Sequence, residues 1–342
     1  MTMKAKTPRP LGKTGLTVTA LGLGTAPLGG LYNAVSAPDA MAVLEAGWDA
    51  GIRYFDSAPM YGLTRAEHLL GRLLQERTED FVISTKVGRL MMTERAGRTL
   101  PPAPPKNPFD AGFQNALPFR EIFDYSYDGV MRSFDDSQQR LGLRRLDILF
   151  VHDIGPVTHG ERQAHHWSAL TKGGGFRALQ ELKAHRDIAG FGLGVNEWEV
   201  IRDALEETDL DACLLAGRYT LLDRSAAEVF LPLAQKRDVA IAVGGAFNSG
   251  ILAAPPGGLQ KFNYVDASSD VIARVEALRA VCADHGVPLP AAAIQFPLRH
   301  PAVATVVIGA QTKDQLHQNI AWFDTDLPDS LWADLDAFQS AG

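Results

Sequence analysis

Short apolar segments alternate along this chain with longer segments whose apolar residues recur at helical spacing. A short apolar run between two helical patterns is typical of a parallel strand that is buried on both faces. Eight such strands are predicted, near residues 20–23, 54–55, 81–85, 146–151, 190–194, 212–216, 239–243 and 305–308. Eight strand–helix units favour closure into an α/β barrel, the eight-stranded parallel (β/α)8 TIM barrel.

Helical patterns fit between these strands. They lie near residues 39–50, 65–75, 129–141, 176–185, 197–206, 226–235, 270–285 and 313–319. A leading hairpin is expected around residues 17–20, an additional helix near 290–296 and a last helix at the C-terminus. The structural alternative is an open doubly wound sheet, which would carry a G-x-G-x-x-G turn after its first strand. Only part of that motif is present, at residues 21–26, so the barrel is the favoured prediction.

Composition excludes several classes of protein. The chain has 342 residues, which suits a single barrel domain spanning residues 1–342. The net charge of −7 and the lack of any Lys/Arg-rich block argue against a nucleic-acid or anionic-membrane partner. Two cysteines form neither a disulfide framework nor a metal motif. Residues 1–10 lack the apolar stretch of a signal peptide, and no run of 18 apolar residues is present. We therefore expect a cytoplasmic protein that acts on a small molecule, with a homo-oligomer left open.

Four polar residues stand at or just after the ends of predicted strands. Asp56 and Tyr61 follow the second strand, Lys86 ends the third, and His152 ends the fourth. In a closed barrel of parallel strands, the carboxyl ends converge on one mouth, where active sites are found. The sequence therefore predicts a proton-transfer site that is built around a phenol.

The chemistry of this group centres on Tyr61. A free phenol has a pKa of about 10, and a neighbouring ammonium such as that of Lys86 lowers it. Asp56 could pair with Lys86, and His152 could orient a substrate oxygen. Taken singly, each residue has a structural interpretation: a buried ion pair, a packed tyrosine or a core histidine. Their combination favours catalysis.

The order and spacing of these residues resemble those of the aldo-keto reductases. The segment 56–62, with sequence DSAPMYG, carries the resemblance together with Glu67, Leu70 and Gly71 on the next helix. Lys86 and His152 match the two other catalytic positions of the family. The resemblance runs from about residue 11 to the last helix. It implies hydride transfer between a substrate and a nicotinamide dinucleotide that lies extended across the mouth.

The resemblance also implies which residues hold that dinucleotide. On the nicotinamide side they are Gly24, Thr25, Ala26 and Asn196. The loop after the seventh strand is rich in small residues, which let a backbone approach a pyrophosphate closely. From this loop the resemblance implies Gly245, Phe247, Asn248, Ser249, Gly250 and Leu252. The last strand and its helix contribute Ile308, Gly309, Gln311, Gln315, Gln318 and Asn319. Two positions depart from the family: Glu197 stands in place of an amide, and Gly244 in place of an aromatic residue that stacks on the nicotinamide.

The segment after the last strand predicts the form of the cofactor. Family members that prefer NADP place Lys and Arg there to bind the 2′-phosphate. In this chain Lys313 is the only cation nearby, and one mobile lysine is a poor substitute for a bidentate arginine. We therefore predict NAD over NADP, with use of NADP left open.

Four short strings resemble a narrower group of the family, whose members oxidise a cyclic hemiacetal to a lactone: VHDIG, GLGVNEW, AGRYTLLD and GGAFNSGIL. An aldose of the L-fucose or L-galactose type is slightly favoured, because Asp153, Arg218 and Asp223 could bind ring hydroxyls unless they form ion pairs. A pyridoxal-type aromatic substrate would suit the stretch with Met91, Met92, Phe109 and Phe113. Two alternatives remain, an NADPH-dependent carbonyl reductase of broad specificity and a non-catalytic, nucleotide-binding regulatory subunit.

The longest stretch without clear periodicity runs from residue 90 to residue 127. It is rich in proline and phenylalanine and directly follows the strand that carries Lys86. Long loops of this kind are often functional. We expect this one to cover the barrel mouth; the alternative is a tolerated insertion.

Overall fold

The computed structural model describes residues 3–95, 99–100 and 112–341. Its strands, in chain order, are β1 (Pro8–Pro10), β2 (Thr17–Thr19), β3 (Leu21–Gly24), β4 (Tyr54–Asp56), β5 (Val82–Val87), β6 (Arg89–Met92), β7 (Arg120–Phe123), β8 (Ile148–His152), β9 (Gly190–Val195), β10 (Ala212–Ala216), β11 (Ala240–Gly244), β12 (Lys261–Phe262), β13 (Val265–Asp266) and β14 (Val303–Ile308).

The helices of the described residues alternate with the longer strands. They are α1 (Ala37–Asp49), α2 (Arg65–Leu74), α3 (Tyr127–Leu141), α4 (Pro156–His159), α5 (Gln163–Thr171), α6 (Gly175–Ala184), α7 (Trp198–Glu207), α8 (Phe230–Lys236), α9 (Ser269–Asp284), α10 (Leu289–Gln295), α11 (Lys313–Phe323) and α12 (Asp329–Ala341).

Eight parallel strands close into a barrel in the order β3, β4, β5, β8, β9, β10, β11 and β14. Closure is made by β14 against β3, where Ile308 lies opposite Leu23. The barrel strands are buried along their whole length apart from Ala216, as expected for apolar runs that are covered on both faces. All eight predicted strands and the predicted (β/α)8 barrel are confirmed.

Side chains alternate between the barrel interior and the surrounding helices. In β8, Ile148 and Phe150 belong to the interior cluster, whereas Leu149 and Val151 pack toward the helices. This is the period of two of any strand. It places the next interior side chain of β8, His152, at the carboxyl end of the barrel.

A hairpin of β1 and β2 lies at the amino-terminal end of the barrel, as predicted. Leu11 and Val18 belong to the interior cluster. The Arg9 guanidinium donates from Nε to the carbonyl oxygen of Ala304 (2.8 Å) and from Nη2 to that of Val303 (2.9 Å). The hairpin therefore covers the amino-terminal end of the barrel, and the carboxyl end is left for the predicted functional site.

The structure differs from the prediction in three segments. Residues 90–127 are not wholly irregular, because β6 and β7 form an antiparallel hairpin. Two short helices that were not predicted, α4 and α5, precede α6, which corresponds to the fourth predicted helix; the few apolar residues of α5 do not gather on one face. Helix α8 begins at Phe230 rather than at residue 226, because Asp223 and Thr220 first form a hydrogen-bonded turn.

Two further observations bear on the class of protein. Within the described ranges, no helix is both long enough and apolar enough to cross a membrane. Cys213 and Cys282 are free thiols in buried positions.

The interior positions of β9 are all glycines, Gly190, Gly192 and Gly194, whereas its outward residues pack in the core. A Cβ on Gly194 would lie 3.3 Å from Cε of Lys86 and 3.1 Å from Cβ of Phe150. The missing side chains therefore leave the room that Lys86 occupies.

We predict that Gly192→Ala destabilises the barrel. The added Cβ would lie 1.8 Å from the carbonyl oxygen of Ala212, so β9 and β10 would have to separate. The free energy of unfolding in urea should fall by roughly 1–3 kcal/mol or more, as for other overpacked cores. Gly244→Ala is the matched control, because its Cβ would meet Leu214 at an ordinary 3.4 Å. Equal stability of the two variants would contradict the prediction.

Candidate active site

A buried ion pair joins the ends of β4 and β5. The ammonium nitrogen Nζ of Lys86 lies 2.7 Å from Oδ2 of Asp56 and donates to the carbonyl oxygen of Ser57 at 2.8 Å. The two charged side chains are only 1% and 3% exposed. Asp56 stands two residues after the interior residue Tyr54, and Lys86 four residues after the interior residue Val82, so the strand period alone aims both into the barrel.

Hydrogen bonds satisfy the rest of the Asp56 carboxylate. Ser84 donates its hydroxyl to Oδ1 at 2.7 Å, and the hydroxyls of Ser84 and Tyr54 are 2.9 Å apart. Such partners are required, because an unpaired buried charge is strongly destabilising. Burial lowers the pKa of Lys86, but Asp56 and Tyr61 outweigh burial and leave that pKa above its ordinary value. The amine therefore keeps its charge.

Tyr61 lies beside this ammonium at the mouth. The nitrogen of Lys86 is 4.7 Å from the centroid of its ring. Burial raises the pKa of Tyr61, Lys86 lowers it and Asp56 raises it, with a net value of about 12. Lys86 thus lowers the pKa of this phenol as expected, but desolvation exceeds the attraction of the ammonium and the net pKa lies above the free value.

His152 ends β8 on the same side of the barrel. Its ring centroid is 6.0 Å from that of Tyr61, and the two rings are nearly perpendicular at 87°. Burial, Arg89 and Lys86 all hold the pKa of His152 well below its usual range, so the imidazole is neutral. Its Nδ1 is buried and has no hydrogen-bond partner in the described part of the chain. The four predicted residues are thus brought together at one mouth.

Sequence reasoning missed a second charged group beside the first. Arg89 on β6 is buried and pairs through Nη1 with Oε2 of Glu121 (2.7 Å) and through Nη2 with Oδ2 of Asp153 (2.5 Å). Asp153 directly follows His152, and its Oδ2 lies 3.4 Å from Nε2 of that histidine. Asp153 itself was noted as a candidate, but its partner Arg89 lies directly before the segment that shows no periodicity.

Tyr125 fixes the carboxyl end of β8 by a hydrogen bond to its backbone. Its hydroxyl donates to the carbonyl oxygen of His152 at 2.7 Å and lies 2.9 Å from Nε2 of His159. Both Tyr125 and His159 are buried. Burial is the main cause that lowers the pKa of His159 to about 3, so the imidazole that contacts Tyr125 is uncharged.

The three residues predicted to bind the cofactor at the end of β3, the first barrel strand, differ in burial and in hydrogen bonding. Thr25 is fully buried, and its hydroxyl donates to the carbonyl oxygen of Asp56 (3.1 Å) and to Ser57 Oγ (2.9 Å). Its side chain therefore links β3 to β4. Gly24 ends β3 in a buried position, and Ala26 is half-buried at the mouth.

After β9, two neighbouring residues have different roles. Asn196 donates from Nδ2 to the carbonyl oxygen of Ala216 (3.1 Å) and also hydrogen-bonds the side chain of Tyr264. Glu197 accepts the N–H of Val157 at 2.8 Å, at the start of α4. A Cβ at Gly155 would come within 2.2 Å of this carboxylate. Glu197, which stands where the family has an amide, therefore packs against the start of α4.

The loop after β11 has an unusual backbone. Gly245, Asn248, Ser249 and Gly250 all have positive φ, at 66°, 44°, 60° and 100°. Left-handed residues other than glycine are costly and cluster at functional sites. Asn248 is buried, and its Oδ1 has no partner among the described residues. The small residues of this loop leave room for the close approach of a dinucleotide, and the unpartnered Oδ1 of Asn248 fits a donor such as a ribose hydroxyl but not a pyrophosphate, which has none. The other two predicted residues are packed: Phe247 contacts Trp322 of α11, and Leu252 is buried.

The predicted residues after β14 surround the start of α11. Ile308 is buried and Gly309 is exposed. Gln315 accepts the N–H of Gln311 at 2.8 Å, and Gln311 in turn donates to the carbonyl oxygen of Leu31 at 2.8 Å. Further along the helix Gln318 is exposed and Asn319 is buried, and Lys313 is an exposed cation in the first turn.

The described end of the 90–127 segment packs over the mouth. The ring of Phe113 lies 6.2 Å from that of Tyr61. The N–H groups of Gln114 and Leu117 donate to the carbonyl oxygens of Gly30 and Gly62, both at 3.0 Å. Met91 is buried and Met92 half-buried, whereas Phe109 lies outside the described residues.

Two other candidates for binding ring hydroxyls are engaged elsewhere. Nη1 of Arg218 lies 3.2 Å from Oδ2 of Asp223 and donates to Oδ1 of Asn263 at 2.8 Å. Asp223 also accepts the hydroxyl of Ser225. For this pair, the ion-pair interpretation is correct.

A (β/α)8 barrel whose mouth holds a tyrosine, a buried lysine–aspartate pair and a neutral histidine defines an oxidoreductase that acts on a CH–OH group. The model of the Aldo/keto reductase family matches residues 20–340. The chain belongs to this family, and its cofactor is accordingly a nicotinamide dinucleotide.

Similar proteins cover almost the whole chain. Pyridoxal 4-dehydrogenase of Microbacterium luteolum is 66% identical over 335 residues, which cover 98% of each chain. D-threo-aldose 1-dehydrogenase of a Pseudomonas species is 39% identical over 327 residues, which cover 94% of each. The solved holo form of an aldo-keto reductase from Bacillus halodurans superposes with a TM-score of 0.73, covering 98% of this chain and 96% of that one at 24% identity. This last likeness supports the fold.

We predict that Lys86→Met destabilises the protein more than removal of both charges does. The single variant leaves the Asp56 carboxylate buried without its ammonium, which costs roughly 3–5 kcal/mol for buried pairs. The double variant Asp56→Asn/Lys86→Met carries no unpaired charge and should lose less. Urea unfolding followed by circular dichroism measures both. A double variant less stable than the single one would contradict this account.

Proposed function

We propose that this enzyme oxidises the cyclic hemiacetal of a pyridoxal-type substrate to its lactone, with NAD as the hydride acceptor. The observation that carries the proposal is the group of Tyr61, Lys86, Asp56 and His152 at the barrel mouth. Identity of 66% to pyridoxal 4-dehydrogenase supports the choice of substrate. It moves the preference from a sugar, which the sequence patterns slightly favour, to an aromatic ring.

The reaction removes one hydride and one proton. When bound, the nicotinamide takes the hydride from the carbon, so the chain itself supplies binding, orientation and proton transfer. Tyr61 accepts the proton of the hemiacetal hydroxyl as the C=O bond of the lactone forms. The neutral imidazole of His152 donates a hydrogen bond to the same oxygen. In the reverse direction Tyr61 returns the proton.

Lys86 and Asp56 act through Tyr61. The ammonium attracts the phenolate that forms when the tyrosine is deprotonated, and Asp56 holds that ammonium in place. Because the pKa of Tyr61 is about 12, the phenol is almost wholly protonated at neutral pH. The base required for oxidation is therefore a minor form that becomes more abundant as the pH rises.

The preference for NAD rests on the residues around the start of α11. Gln311 and Gln315 are neutral and bonded to one another, and Lys313 is the only Lys or Arg between residues 308 and 324. Glutamine side chains suit the hydroxyls of an unphosphorylated ribose. A 2′-phosphate carries close to two negative charges and would need a stronger cationic site.

The surroundings of Tyr61 suit a flat aromatic substrate. Phe113 lies beside the phenol, and the thioether of Met60 approaches the neighbouring Arg89. An aldose is the second candidate, because identity to D-threo-aldose 1-dehydrogenase is 39% and a partly exposed carboxylate, Asp153, lies next to His152.

We predict that purified protein reduces NAD in the presence of pyridoxal. L-Fucose and L-galactose test the second candidate, and NADP replaces NAD in a parallel series. We expect the highest kcat/KM for pyridoxal, and a preference for NAD over NADP of about tenfold or more, equivalent to about 1.4 kcal/mol. NADH absorbance gives the rates. No oxidation with NAD, combined with NADPH-driven reduction of simple aldehydes, would instead identify a broad-specificity carbonyl reductase.

We predict that Tyr61→Phe lowers kcat of oxidation by roughly 10²–10⁴-fold, the usual contribution of a general acid–base group. In the unmodified enzyme kcat should rise with pH toward the raised pKa of Tyr61, because a raised pKa leaves less phenolate at neutral pH. The variant should lose this rise. Steady-state rates between pH 6 and pH 10 test both statements, and a retained pH dependence would assign the base to another residue.

A further inference from the structure

Asp153 occupies a strained position next to His152. Its backbone is left-handed, with φ of 46°, a conformation that aspartate tolerates better than most residues do. Its N–H donates to the carbonyl oxygen of Gly194 at 3.0 Å, and Tyr125 holds the preceding carbonyl. The neighbouring strand and the buried tyrosine therefore fix the turn that aims this carboxylate.

One oxygen of the Asp153 carboxylate is fully engaged. Oδ2 accepts from Nη2 of Arg89 and lies 3.4 Å from Nε2 of His152. Arg89 is 2% exposed, whereas Asp153 keeps 19% exposure. Within the described part of the chain, no hydrogen bond reaches Oδ1 of Asp153. The carboxylate is therefore anchored through Oδ2, and its side chain keeps partial exposure.

We propose that Asp153 is a specificity residue that accepts a hydrogen bond from a second hydroxyl of the substrate, close to the carbon that loses hydride. This inference rests on the proposed function. Both candidate substrates carry such a hydroxyl: the ring hydroxyl of pyridoxal next to its hemiacetal carbon, bound in the tautomer that keeps the proton on this oxygen instead of on the ring nitrogen, and the C2 hydroxyl of an aldose. A hydrogen bond to an anchored carboxylate is stronger than one to a neutral acceptor. Simple aldehydes and alcohols lack this group and lose that contact.

Arg89 is the positioning residue in this arrangement. Its guanidinium holds two carboxylates, Asp153 through Nη2 and Glu121 through Nη1. Of the two, only Asp153 adjoins His152, whose imidazole we place on the reacting oxygen. Glu121 therefore offers a matched control. Glu121→Gln removes a negative charge that pairs with the Arg89 guanidinium, but it leaves Asp153 and its proposed contact with the second hydroxyl in place.

The test compares substrate pairs that differ by one hydroxyl. They are pyridoxal with 3-deoxypyridoxal, and L-fucose with 2-deoxy-L-fucose. The quantity is the ratio of kcat/KM within a pair, measured for the unmodified enzyme, Asp153→Asn, Asp153→Gly and Glu121→Gln. Asparagine and glycine both accept the left-handed backbone, so the turn is kept. Intrinsic differences in reactivity between the two compounds cancel when ratios are compared between variants.

We expect the unmodified enzyme to prefer the hydroxylated member of the pair that it uses by roughly 10- to 100-fold, the range for a hydrogen bond to a charged group. Relative to the unmodified enzyme, Asp153→Gly should reduce this ratio by about the same factor, Asp153→Asn should lower it, and Glu121→Gln should retain it. A ratio in Asp153→Gly that stays within about twofold of the unmodified value would overturn the proposal while leaving the proposed function intact. Failure of the unmodified enzyme to oxidise either hydroxylated compound with NAD would overturn the proposed function and this inference with it.

Discussion

The buried ion pair between Lys86 and Asp56 is the interaction on which the rest of the site depends. Two opposite charges are retained inside a barrel where almost every other interior side chain is apolar. Such a pair is stable only if each remaining polar atom is satisfied. Ser84, Tyr54 and the carbonyl of Ser57 meet that requirement, and Thr25 ties the same strand end to β3. The interior glycines of β9 leave the space that the Lys86 side chain occupies.

The strand period explains why much of this could be predicted from sequence. Tyr54, Val82 and Phe150 fill the barrel, and the residue at the next interior position toward the mouth is polar on each of these strands. Asp56, Lys86 and His152 each end such an alternating series. A closed parallel barrel then leaves little freedom in where they meet. Apolar runs and strand parity thus suffice for the fold and for three of the four predicted residues; Tyr61 lies in the loop that follows and was found by family spacing.

What could not be predicted depends on contacts between residues far apart in sequence. Arg89 meets Asp153 across 64 positions, and it lies on a strand too short to show periodicity. The role of Glu197 follows from its contact with the start of α4, which no local pattern indicates. The lowering effect of Lys86 on the pKa of Tyr61 could be predicted, because the charge of Lys86 is visible in the sequence. The desolvation of Tyr61 is not visible in the sequence, and desolvation is the larger effect.

The balance of charge around Tyr61 determines how readily this phenol ionises. Among the described residues joined by ion pairs at this mouth, Lys86 and Arg89 face three carboxylates, those of Asp56, Asp153 and Glu121. His152 adds no positive charge, because burial and the two cations hold its pKa low. The carboxylates therefore outnumber the two cations by one, and this surplus of negative charge opposes ionisation of Tyr61. Lys86, whose Nζ lies 4.7 Å from the centroid of the phenol ring, lowers the pKa of Tyr61 and offsets part of that effect. Burial remains the largest cause that raises this pKa, so the proposed base depends on Lys86 for its ionised form.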